Sequence, residues 1–191
     1  MFIPDKTIKR RQAGISLVEL IMFIIIVSVG IAGILSVMNV TTKSSADPMQ
    51  RKQALSIAES LLEEIQLQPF TYCDPTDANV ATATGAFVGP GGCDAVAEGS
   101  GAELTQSRYP PDPFNNVNDY SGFSMAGIRG LDNVAITGLE NYTATVMIAN
   151  SAVGTVPADA SLRIDVRVVS GATVDVTLTG YRMRYAPNAG L

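Results

Sequence analysis

Glu19 is the one charged residue in the 26-residue apolar run from Ile15 to Val40. Twenty-six helical residues at about 1.5 Å each reach roughly 39 Å, enough to cross a hydrocarbon core of about 30 Å. A carboxylate at the centre of such a helix costs about 2.5 to 3.5 kcal/mol, and less near an end, where Glu19 sits. A span that only anchors has no use for it. The default reading of an intramembrane carboxylate is a functional partner, and the partner should be positive.

Other residues with chemistry to offer are few. Cys73 and Cys93 are the only cysteines. An even count in an oxidising compartment predicts one disulfide, with two free thiols as the alternative. Closing about 20 residues would stabilise by roughly 3 kcal/mol in the chain-entropy model. The chain contains no histidine. That excludes Ser-His and Cys-His nucleophile pairs and leaves the cysteines matching no zinc pattern. Carboxylate pairs occur at Asp74 with Asp77 and at Glu63 with Glu64. The first pair could hold a divalent cation together with backbone oxygens, but solvated turn chemistry is the simpler reading. The second reads as the wet face of a helix. No enzyme, metal or cofactor is expected.

Charge is divided along the chain. Residues 1–14 carry Lys6, Lys9, Arg10 and Arg11 against Asp5, while the other 177 residues carry nine basic and 17 acidic side chains. The positive end stays cytoplasmic by the positive-inside bias, and the acidic bulk lies outside. This balance argues against nucleic-acid binding, which needs a basic patch.

A basic leader, then Gly14, then an uncut apolar run with Glu at its fifth position resembles the class III signal of type IV prepilins. The resemblance implies a prepilin peptidase that cuts after Gly14 and frees Ile15 as an N-methylated amino terminus. It also implies pairing of Glu19 with the amine of a neighbouring subunit. Ile15 departs from the Phe or Met that the family favours there, which bears on methylation more than on cleavage. The physical logic is independent of the family. A carboxylate buried in a dry helical bundle needs a cation, and only a cut made before the apolar run leaves an amine beside it. An ordinary secretory signal is cut after its apolar region, and Ser45-Ala46 is a weak site for that.

These residues must be positioned by a small set of elements. The reading is a cleaved leader over 1–14, a transmembrane or filament-core helix over 15–40, an amphipathic continuation over 41–69 and a head over 70–191. Pro48 falls inside the helix and is expected to kink or break it. Beyond it, Ala54, Leu55, Ala58, Leu61, Leu62 and Ile65 form one apolar stripe. Arg51, Lys52, Glu59, Glu63 and Glu64 keep mostly to the other side. Pro69 stops the helix. Residues 70–134 are rich in Gly, Pro, Asn and Asp and read as irregular, with short elements near 86–88 or 123–128.

Over 140–186 the pattern is that of antiparallel strands. Tyr142 to Ile148 has strand composition. Leu162, Ile164, Val166 and Val168 alternate with Arg163, Asp165 and Arg167. Ser170-Gly171 reads as a hairpin turn, after which Val174, Val176 and Leu178 face the same core. The apolar phase then flips to Tyr181, Met183 and Tyr185, and Gly180 at the flip predicts a bulge or bend. Three strands packed on the stripe give an α+β fold with a long N-terminal helix. This layout is the one that the type IV pilin resemblance implies.

The stretch from Ser45 through Asp74 further resembles the MshD-type minor pilins of the mannose-sensitive haemagglutinin pilus system, related to PilV-type minor pilins. That likeness implies an accessory subunit that primes pilus assembly and takes part in adhesion. Its implied partners are other major and minor pilin subunits, the peptidase and an inner-membrane assembly platform. The implied location is the bacterial inner membrane, single pass with the head in the periplasm, and then the pilus at the cell surface. Two alternatives share the same N-terminal half: a pseudopilin of a type II secretion system, and a single-span membrane-tethered binding domain.

Overall fold

The computed structural model describes Gly14 and residues 16–185, with side chains undescribed over 39–47. Helix α1 runs Leu17–Leu67. It opens with the Leu20 N–H donating to the Ser16 carbonyl at 3.1 Å. Within it, the 22 residues Leu17–Met38 are long and apolar enough to cross a membrane. All its described side chains are exposed.

α1 is not broken at Pro48, contrary to one expectation. Pro48 is exposed, and the helix gives up there the one hydrogen bond whose donor proline lacks. The helix stops two residues before Pro69, which disfavours helical geometry in the residue ahead of it.

Chain contacts divide the protein into two compact units, residues 1–46 and 47–191. In the second unit a sheet of order β1-β2-β3-β4 forms an antiparallel meander. Its strands are β1 (Ser124–Ala126), β2 (Tyr142–Asn150), β3 (Ser161–Ser170) and β4 (Val174–Met183). β1 falls inside the segment singled out at 123–128. Side chains alternate across a strand, so Leu162, Ile164, Val166 and Val168 of β3 all face inward and are buried. The register sets Val168 beside Ala144 and Val176, and Val166 beside Val146 and Leu178. This inner face packs on Ala54, Ala58, Leu61, Leu62 and Ile65 of α1 in one core. The Tyr142 hydroxyl donates to Gln53 Oε1 at 2.7 Å, and Arg182 donates to the Gln68 carbonyl at 2.9 Å.

Two expectations about this core are corrected. Leu55 is 38 % exposed. At 3.6 residues per turn it lies about 100° around the helix from Ala54, at the margin of the stripe. Gly180 is no bulge, because the β3–β4 register runs unbroken from Ser161↔Met183 to Ser170↔Val174. Gly180 faces inward, where a Cβ would lie 2.6 Å from Gln66 Nε2 and 2.9 Å from Leu62 Cδ1. The glycine serves close approach of helix to sheet. Tyr181 and Met183 therefore sit on the outer face, 45 % and 39 % exposed.

The β3–β4 turn comprises residues 171–173, with Gly171 at φ +58° in the left-handed region that favours glycine. Residues 70–123 hold only one regular element among the described residues, the 3₁₀ turn Val117–Tyr120. It is capped reciprocally: Asn116 accepts at its side chain, and the Asp119 carboxylate accepts from the Asn116 N–H at 2.8 Å.

Candidate functional site

The residues singled out by chemistry fall in different units. Gly14 is exposed and outside the helix, and a Cβ added to it would meet nothing within 4 Å. The described packing therefore does not require glycine at this position. Ile15 and residues 1–13 lie outside the described residues. Glu19 occupies the first turn of α1 and is exposed. An anion is favoured there by the unpaired N–H groups and the positive end of the helix dipole. Among the described residues no cation pairs with it.

Cys73 and Cys93 form the expected disulfide, with Cα atoms 5.5 Å apart. Both are fully buried with Ala83 in a small core of their own. An antiparallel bridge between Cys73 and Ala97 continues the closure. The Asp74 N–H donates to the Val96 carbonyl at 3.2 Å, and the Glu98 N–H to the Tyr72 carbonyl at 3.0 Å.

Asp74 and Asp77 do take up turn chemistry, but it is buried rather than solvated. Asp77 accepts from the N–H groups of Val96, Ala95, Asp94 and Asn79 at 2.8 to 2.9 Å. Those donors, Val96 foremost, hold its carboxyl well below the usual carboxylate range. Asp74 Oδ1 accepts from the Thr76 N–H at 2.6 Å and from the Thr76 hydroxyl. The pair does not converge on one point, since the Asp77 oxygens are committed to backbone.

A different acidic group does converge. One carboxylate oxygen each from Asp74, Glu98 and Glu103 lies within 4.8 Å of the others. Glu98 is 8 % exposed, and neither of its oxygens has a hydrogen-bond partner. Glu103 Oε2, Asn115 Oδ1 and Asp119 Oδ1 are likewise buried and unpartnered. The Asn115 amide reaches Asp74 Oδ2 at 3.5 Å, and its N–H donates to Asp119 Oδ2 at 2.9 Å. Burial, with the charges of Asp119, Glu103 and Asp74, pushes the Glu98 carboxyl up to about 9. Burial pushes Asp119 up to about 6, against the N–H groups of Asn115 and Asn116. Among the described residues Arg184 is the cation acting on Glu98. Its guanidinium lies 3.9 Å from the Phe70 ring centroid and donates to the Asp159 carbonyl at 2.8 Å. Glu98 and Arg184 line one cavity with Ser100 and Asn118. Sequence reasoning missed this group. Its available signal was two glutamates bracketing Gly99-Ser100-Gly101, close behind a cysteine.

Glu63 is on the wet face as expected, but Glu64 is not. Glu64 takes a two-pronged contact from Arg108, with Nη2 to Oε2 at 2.6 Å and Nε to Oε1 at 2.8 Å. The Tyr120 hydroxyl donates to the same Oε1 at 2.8 Å. Arg108 is buried and also donates to the Arg129 carbonyl at 2.9 Å. Burial alone would lower its guanidinium, but the bond and charge of Glu64 carry it above its ordinary value. Burial, and then the Glu64 charge, push the Tyr120 hydroxyl up. The triad is a clasp between α1 and the loop region, and Glu64 and Arg108 also line a cavity with Ser60, Met125 and Ile128.

No family model, no curated protein and no solved structure matches this chain.

Proposed function

We propose that this chain is a minor pilin, an accessory structural subunit of a type IV pilus of the mannose-sensitive haemagglutinin kind, with the type IV pilin-like fold. One observation carries the reading. Leu17–Met38 is apolar and exposed on all its described faces, and its single carboxylate, Glu19, stands in the first turn of the helix, five residues beyond Gly14.

In this account the helix rests in the inner membrane with the acidic head in the periplasm, and later packs against other pilin subunits. The peptidase cuts between Gly14 and Ile15. The open backbone around Gly14 suits close approach of a protease. The new amine of one subunit then meets Glu19 of its neighbour, so that both charges enter the dry bundle as a pair. Gly30 and Gly33 support the same picture. Each costs about 1 kcal/mol against Ala in a helix, and a Cβ on either would meet nothing within 4 Å in the chain itself. Small residues at such positions let another helix approach closely. The head contributes the α+β unit whose sheet covers the apolar stripe of α1 from Ala54 to Ile65.

Glu19→Ala tests this reading. It makes the isolated span more apolar, so membrane insertion and cleavage should survive. Incorporation into purified filaments should be lost. Equal incorporation of wild type and variant would refute the pairing on which the reading rests.

A further inference from the structure

Glu98 poses a problem that the filament reading does not touch. A carboxylate taken out of water without a partner is costly, and this one is 8 % exposed with both oxygens unpaired. The surroundings worsen it. Asp74 and Glu103 aim oxygens at the same point, and Asp119 stands near enough to act on its charge. Among the described residues Arg184 is the cation acting on this group, and its guanidinium donates to the Asp159 carbonyl through Nη1 and lies over the ring of Phe70, with Nε left unpartnered.

Nor is the convergence an accident of loose loops. The Cys73–Cys93 disulfide and the Tyr72–Glu98 and Asp74–Val96 backbone bonds set Asp74 and Glu98 side by side. The Gly101 N–H, bonded to the Asn118 carbonyl at 3.0 Å, holds the Glu103 turn against the capped 3₁₀ turn.

We propose that Asp74, Glu98 and Glu103 form a Ca²⁺ site, with the Asn115 side-chain oxygen as a further ligand. The donors are all hard oxygens, and neither histidine nor a free thiol is present to favour a softer metal. Oxygens on opposite sides of one Ca²⁺, each about 2.4 Å away, are about 4.8 Å apart. The three carboxylate oxygens lie within that same distance of one another. Mg²⁺ binds at about 2.1 Å, demands near-octahedral geometry and keeps its waters. Ligands drawn from irregular backbone suit the flexible shell of Ca²⁺ instead. Turning the Asn115 amide about its last bond exchanges nitrogen for oxygen beside Asp74. The cavity shared by Glu98, Ser100 and Asn118 is the entry route. The ion would tie together the segments bearing Asp74, Glu98 and Glu103, whether or not the chain polymerises.

The test uses the full chain in detergent micelles, stripped with EGTA and then titrated with CaCl₂ or MgCl₂ while thermal unfolding of the head is followed. Ca²⁺ at up to about 5 mM, well above the dissociation constants of extracellular modules, should raise the midpoint by several degrees. It should bind one ion per chain by calorimetry, and Mg²⁺ should do far less. Glu98→Gln should melt higher than wild type in EGTA, because folding then no longer has to protonate or desolvate a carboxylate there, and should lose the Ca²⁺ response. A variant that merely folds badly cannot show both. Glu103→Gln, at a half-exposed position, should weaken Ca²⁺ binding at least tenfold. Asp165→Asn on the outer sheet face should leave it unchanged. No Ca²⁺ response in wild type, an equal response to Mg²⁺, or a wild-type response in Glu98→Gln would each overturn the site. If Arg184 rather than a metal ion balances Glu98, Arg184→Gln will lower the midpoint in EGTA and leave Ca²⁺ without effect. The Ca²⁺ site predicts that the same variant binds Ca²⁺ more tightly.

Discussion

The two parts of α1 carry similar apolar side chains and treat them in opposite ways. Ile21, Ile24, Ile25 and Ile31 are each about half exposed, although Ser28 is the one polar side chain between them. Ala54, Ala58, Leu61 and Ile65 lie between 0 % and 3 % exposed, beneath the inner face of the sheet. The later part is satisfied by its own chain and has a polar face to spare in Arg51, Lys52 and Glu59. Among the described residues, Leu17–Met38 is exposed all round, and Glu19, Ser28 and Ser36 are its polar side chains. On the proposed reading it is built for surroundings that the chain does not itself supply, first lipid and then neighbouring helices.

The comparison can be broken most severely at matched isoleucines. Ile65→Ala should destabilise the head by about 2 to 5 kcal/mol, the range for emptying a close-packed site. Ile26→Ala, 67 % exposed in the isolated chain, should leave head unfolding in detergent unchanged. Urea or thermal melts of both variants provide the check. If Ile26→Ala destabilises the head as much as Ile65→Ala, the two parts of α1 are not distinct in the way described.

A somewhat smaller loss is expected within the head, between its sheet and its loops. Residues 70–123 have little regular structure and depend on the Cys73–Cys93 bond, the Asp77 carboxylate and the Glu64–Arg108 clasp. Cys73→Ser with Cys93→Ser should cost about 3 kcal/mol for a loop of about 20 residues, and should open 70–123 to protease while β2–β4 stay protected. Uniform protection of both regions after reduction would remove the disulfide from this account.

Legibility followed the same division. β3 and β4 could be read from alternation, because a period of two residues is the direct trace of one covered face. Alternation misleads at Gly180, where the missing side chain marks a close helix rather than a bulge. Leu55 was overrated because a helical stripe has margins, and a residue there is buried only where the sheet reaches it. Glu64 was misjudged for another reason. Its partner Arg108 is 44 residues away in a segment without periodicity. Glu98 and Glu103 were invisible for the same cause, since loop closure and a disulfide place them, and neither leaves a repeating pattern. Gly14 and Glu19 are singled out by their spacing to an apolar run alone, a pattern of the sequence that the packing does not bear on.

That spacing is also where the central claim is most exposed. The account holds that the chain is processed between Gly14 and Ile15 before it enters a filament. Intact mass measurement of the mature protein from the membrane of a host with a prepilin peptidase decides it. The predicted result is a chain beginning at Ile15, with or without one added methyl group, and full-length precursor alone for Gly14→Val. A mature protein that keeps residues 1–14, or a Gly14→Val variant that still begins at Ile15, would contradict the account.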